Sequence, residues 1–156
     1  MVDFDIGHFQ LDLFQNFIKL KNNMDQLILP ITQKYQLTPF GVVILYLINK
    51  NKDITIGNIQ KRLHVNQGNL SSICKKLEMQ GYLLRNRSKK DERVVTLSLT
   101  QNGQEILDSI CKEICNLKFL LEEIPKERLH SAQQGLRDLV DLFLTLNEAA
   151  RKQEEI

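Results

Sequence analysis

Between Thr55 and Gly103 the signals for starting and stopping secondary structure follow one another so closely that few folds can satisfy them all. A short helix opens at Thr55, with Ile56, Ile59 and Leu63 on one side and Lys61 and Arg62 on the other. Val65-Asn66-Gln67-Gly68-Asn69 then reads as a turn, and Asn66 is placed to cap a second helix running to about Gln80. Gly81 suits a helix C-terminus, and Tyr82-Leu83-Leu84-Arg85 reads as a strand. Ser88-Lys89-Lys90-Asp91 is a polar hairpin connection to a second, alternating strand at 93–99. Thr100 supplies the cap of the next helix. Helix, turn, helix and hairpin in that order define a winged helix-turn-helix.

The flanks are helical. Phe14, Phe17, Met24, Leu27, Ile28, Ile31 and Tyr35 recur at three- and four-residue spacing, predicting a helix over 8–35 that Pro30 kinks or ends nearby. Thr38-Pro39 starts another, to about Lys50, apolar almost all round and so expected to be buried. Asn49 to Asp53 is a polar loop. After Thr100 a stripe of Leu107, Ile110, Ile114, Leu117 and Leu121 predicts a helix ending before Pro125. A last helix, about 126–150, carries Leu129, Leu136, Leu139, Val140, Phe143 and Leu146. The expected fold is mainly α with a small β-hairpin wing (α+β). Residues 37–103 form the winged module, and 1–36 with 104–156 form a helical dimerisation region. The terminal stripes exceed what a small winged helix can cover, which points to a homodimer.

Charge sharpens the reading. Residues 55–99 hold nine Lys/Arg against three acids, a net of +6, which leaves −4 for the rest of a chain whose formal charge is +2. A basic middle between acidic arms suits one face meeting a polyanion. On a helical wheel of 66–80, Leu70, Ile73 and Leu77 mark the buried side, with Cys74 beside them. Gly68, Ser71, Ser72, Lys75, Lys76 and Met79 occupy the opposite side. Hydroxyls and ammonium groups on a helix can bond base edges or phosphates, and Gln or Asn pairs with adenine. The candidate DNA contacts are Asn66, Gln67, Asn69, Ser71, Ser72, Lys75 and Lys76 on the helix, and Arg87, Lys89, Lys90, Asp91 and Arg93 on the wing. Arg93 on a hairpin tip can enter a minor groove, and Asp91 can hold its guanidinium in one orientation. Arg87, Lys89 and Lys90 would contact phosphates.

Asp91-Glu92-Arg93, the apolar strand after it and Leu99-Thr100-Gln101-Asn102-Gly103 resemble the wing of the MarR family of bacterial transcriptional regulators. That wing carries Asp-x-Arg, a strand and Leu-Thr-x-x-Gly. The resemblance runs from Leu37-Thr38 through Leu77-Glu78-Met79-Gln80-Gly81-Tyr82-Leu83 to Gly103, a little under half of the chain. It implies a homodimeric repressor reading a pseudo-palindromic duplex, released when a small amphipathic molecule binds between its DNA-binding and dimerisation parts. Gly41 departs from the pattern, where the family commonly has Gln beside its ligand cavity.

Other chemistries find little support in the sequence. There is no Gly-rich phosphate loop, no His-Glu-x-x-His and no nucleophile elbow, so no enzyme is expected. His8, His64 and His130 have no metal-ligand spacing, and neither a cofactor nor a metal is called for. His64, closing a short helix near the basic face, reads as a plain helix-end residue more readily than as a phosphate contact. Cys111 and Cys115 lie one helical turn apart near Asp108, leaving a cysteine- or metal-sensing regulator as one alternative. A winged helix used only for protein interaction is the other. With three cysteines, no export signal and no apolar run near the roughly 18 residues of a membrane span, a cytoplasmic protein is expected.

Overall fold

The computed structural model describes residues 5–87 and 95–154. The chain divides after Cys115 into two compact units. In the first, α1 (Ile6–Gln33), α2 (Pro39–Lys50), β1 (Ile54–Thr55), α3 (Ile56–Leu63) and α4 (Gln67–Met79) lead to β2 (Leu83–Arg87), β3 (Val95–Leu99) and α5 (Gln101–Cys115). The second holds a 3-10 helix (Asn116–Leu121) and α6 (Lys126–Glu154). Among the described residues no helix is long and apolar enough to cross a membrane.

Local chemistry sets these boundaries. Thr38 caps α2 by accepting the Gly41 amide at 3.0 Å, with Pro39 as the first helical residue. Thr55 and Asn58 form a reciprocal capping box at the start of α3, and His64 closes that helix in the left-handed conformation at φ 50°. Helix α1 continues past Pro30 to Gln33, where the Thr32 carbonyl accepts the amides of Tyr35 and Leu37. Helices α1, α2 and α5 pack on one another, burying Ile31, Ile44, Leu45, Leu107 and Ile110.

The expected β-hairpin is present as β2 and β3 and gains a third strand, while two other expectations need correction. The wing is a three-stranded antiparallel sheet in the order β1-β3-β2, with Ile54 opposite Leu97 and Leu83 opposite Leu99. Two residues of β1 are too few to show alternation in a sequence. Helix α2 is not buried all round: Val43 and Tyr46 remain 41% and 47% exposed, with the Lys50 ammonium 5.6 Å from the Tyr46 ring centroid. Helix α5 stops at Cys115 and gives way to the 3-10 turn, so Leu121 is exposed rather than part of its buried stripe.

One joint closes the winged module. The Tyr82 carbonyl accepts the Thr100 amide at 3.1 Å, while the Thr100 hydroxyl donates to the Gly81 carbonyl at 2.6 Å and accepts the Gly103 amide at 2.9 Å. Gly81 itself sits at φ 75°, a conformation that favours glycine. A Cβ on Gly103 would lie 1.9 Å from the Tyr82 carbonyl oxygen, so only glycine lets α5 approach this closely. Gly103→Ala should therefore cost about 3 kcal/mol of unfolding free energy, read by urea denaturation. Parent-like stability would show that the approach is not tight.

A second tie joins α1 to α5. The Lys34 ammonium and, at 3.0 Å, the Tyr35 hydroxyl both donate to the Glu113 carboxylate. Lys34 first and Tyr35 next hold the Glu113 carboxyl below its ordinary 4.5, while Glu113 raises Lys34 above 10.5. A lowered carboxylate stabilises above its unfolded value, and that contribution disappears as pH falls through the folded one. The parent should thus melt above Glu113→Gln at neutral pH, with the gap closing below pH 4.5. A gap independent of pH would contradict the assignment.

Candidate nucleic-acid interface

Helix α4 is anchored from below and open above. Leu70 and Cys74 are fully buried and Leu77 nearly so, with Ile73 half-buried beside them. They pack toward α3, through the fully buried Ile59, and toward β2, through Leu83. Burial pushes the Cys74 thiol up, keeping it a neutral core residue. Asn66 caps the helix by accepting the Gly68 amide at 2.8 Å, which fixes the first turn.

The outer face matches the predicted one closely. Asn66, Gln67, Asn69, Ser72, Lys75 and Lys76 are exposed, and Ser71 is half-buried. Met79, 80% exposed, is the large apolar side chain on that face, too isolated to form a protein-docking patch. Arg87 is exposed at the end of β2. Lys89, Lys90, Asp91 and Arg93 lie outside the described residues. The structure thus brings seven predicted contacts together on α4 and its cap, with Arg87 on the wing strand.

Two residues on this face escaped the sequence reading. The Arg85 Nε lies 3.0 Å from a Glu78 carboxylate oxygen, and an Arg85 terminal nitrogen donates to the Ser71 carbonyl at 3.4 Å. Their separation by seven positions across the Gly81 turn gives no periodic signal. Opposite charges flanking a helix-to-strand turn were the available clue.

The cysteine alternative gains nothing from the geometry. Burial, then Asp108 and then Cys115, push the Cys111 thiol up, away from the reactive thiolate. Among the described residues no three His, Cys, Asp or Glu side chains are grouped to hold a metal ion.

A buried-on-one-side helix with a hydroxyl, amide and ammonium face, backed by a three-stranded wing, defines a DNA-binding regulator of the winged helix-turn-helix class. Comparison with known proteins agrees. The family model for transcriptional regulator SarA/Rot matches residues 26–110, and the chain belongs to that family. The HTH-type transcriptional regulator SarZ of Staphylococcus epidermidis is 29% identical over 108 residues, spanning 69% of this chain and 72% of SarZ. The transcriptional repressor CouR, solved bound to a 23-mer DNA duplex, superposes with a TM-score of 0.76 at 21% identity, over 88% of this chain and 99% of CouR. Staphylococcus aureus MarR, solved with salicylate and kanamycin, gives 0.73 at 20% identity, over 88% of this chain and 94% of that one. The MarR resemblance seen in the wing therefore holds for the fold as a whole.

The cap offers a direct check on how the interface is built. Asn66→Ala should cost about 1 kcal/mol of stability, measured by urea denaturation. An unchanged midpoint would mean that the first turn of α4 does not depend on this bond.

Proposed function

We propose that the protein is a cytoplasmic, homodimeric, ligand-responsive repressor that reads a pseudo-palindromic operator. The observation that carries this reading is the outer face of α4, where Asn69, Ser72, Lys75 and Lys76 are exposed opposite a fully buried Leu70 and Cys74. Each α4 enters a major groove, where Gln67, Asn69, Ser71 and Ser72 face base edges and Lys75 and Lys76 reach edges or phosphates, with Asn66 at the cap among the contacts. On the wing, Arg93, oriented by Asp91, probes the minor groove while Arg87, Lys89 and Lys90 neutralise phosphates.

In this reading residues 37–103 bind DNA, and 1–36 with 104–156 dimerise. Exposed Leu11, Phe14 and Ile18 on α1, and Leu136, Val140 and Leu146 on α6, supply apolar surface that a second copy would cover. Repression takes its support from CouR, named as a repressor and solved on DNA. Ligand response takes its support from the salicylate in Staphylococcus aureus MarR, and from a cleft of about 230 Å³ here between Leu37, Gly41, Ile73, Leu77 and Gln80. The Gln80 side-chain oxygen is buried without a hydrogen-bond partner among the described residues.

Binding of the protein to random duplex DNA across a salt series tests the core of this reading. Log affinity should fall linearly with log salt, by about 0.9 per phosphate neutralised, giving a slope several units negative. No binding at low salt would sink the proposal. For the wing, Arg93→Ala should weaken binding to a selected duplex by about 1–3 kcal/mol. Equal affinity of variant and parent would remove Arg93 from the groove.

A further inference from the structure

We infer that Arg85 is a positioning residue, which locks the angle between α4 and the wing through Glu78 and Ser71 and is not itself a phosphate contact. The inference rests on the reading of α4 and the wing as two halves of one DNA reader. Strand β2 leaves the Gly81 turn and runs beside α4, with Leu83 buried against the same core as Leu70, Cys74 and Leu77. Residues two apart share a strand face, so Arg85 emerges on the Leu83 side, toward the helix.

The guanidinium there touches α4 twice. Its Nε lies 3.0 Å from the Glu78 carboxylate, and a terminal nitrogen donates to the Ser71 carbonyl at 3.4 Å. Helical side chains lean toward the N-terminus, which brings Glu78 back to the level of Cys74, the turn that the Ser71 carbonyl also faces. The Cys74 thiol registers both groups, Arg85 lowering its pKa and Glu78 raising it beneath the dominant effect of burial. One planar cation thus spans a helical turn beside the polar face and fastens it to the strand that continues into the wing.

The other cations of this face are placed differently. Among the described residues, Lys75, Lys76 and Arg87 have no carboxylate within ion-pair distance, and Arg85–Glu78 is the ion pair between α4 and the wing. Arg85 therefore has a carboxylate partner within the protein, which among the described residues sets it apart from the other cations of this face. The Arg85 and Glu78 side chains are 30% and 39% exposed, and a pair so open to solvent adds little to folding stability. Its consequence falls on orientation. A reader that must fit a major groove and a minor groove at once needs a fixed angle between the elements that enter them.

The sign of the change in affinity separates this lock from plain electrostatics. The probes are a random-sequence duplex and the tightest duplex recovered from a random pool by the parent protein. Glu78→Gln removes a negative charge from a DNA-facing surface, so electrostatics alone would tighten binding to both. The lock predicts about three- to fivefold weaker binding to the selected duplex, the range of an exposed ion pair, with no loss on random duplex. Arg85→Gln should show the same selective loss, and the double variant E78R/R85E should regain much of it. Circular dichroism and melting of each variant establish that the fold is retained, and the double variant serves as the control should either single one fold poorly.

Glu78→Gln binding the selected duplex as tightly as the parent, or tighter, would overturn the inference. So would Arg85→Gln losing equally on both duplexes with a salt slope shallower by about one, the mark of a phosphate contact. Failure of the parent to enrich any duplex would strike instead at the DNA reading itself, taking the lock's purpose with it.

Discussion

The close approach of Gly103 to the Tyr82 carbonyl is the constraint on which the winged module depends. At that point the end of α4, the start of β2, the end of β3 and the start of α5 meet within a few hydrogen bonds centred on Thr100. A strand that left the Gly81 turn at another angle would carry the wing away from α4. An α5 held farther off would leave Leu107 and Ile110 unburied. The local bonds are each modest, but they are mutually dependent, because the glycine makes room for the contact that the threonine then fastens.

From that joint outward, burial and charge divide the labour. Leu70, Cys74 and Leu77 fix the inner side of α4 by packing, a term proportional to area and indifferent to direction. Orientation has to come from directional bonds: the Asn66 cap at one end, and Arg85 at Glu78 and Ser71 along the side. What remains exposed on α4 is the surface that the proposed function gives to DNA, and the +6 of residues 55–99 would draw that surface toward a polyanion. Membership of the SarA/Rot family and the fold shared with MarR regulators fit the same division.

Much of this was legible in the sequence because it is written in local chemistry. Thr38-Pro39 marked the start of α2 to the residue, Thr55 and Asn66 marked α3 and α4, and the 66–80 wheel separated buried from exposed sides. Long-range facts were not legible. The two-residue β1 owes its existence to pairing with Leu97 and Thr96, which no local pattern announces. The end of α5 at Cys115, ahead of the proline that should have stopped it, and the exposed Val43 and Tyr46 depend on what packs nearby, not on periodicity. The partnership of Arg85 with Glu78 was hidden for the same reason: counted as one of nine cations, Arg85 looked like its neighbours until the strand placed it against the helix.

The central claim is that the outer face of α4 and the wing strand beside it form one DNA-reading surface. Backbone amide shifts of isotope-labelled protein, followed by NMR as a selected duplex is added, test it most directly. The largest changes should gather at residues 66–76 and around Arg87, with α2 little affected. Changes concentrated on α6 or the exposed side of α2, with 66–76 unmoved, would contradict it.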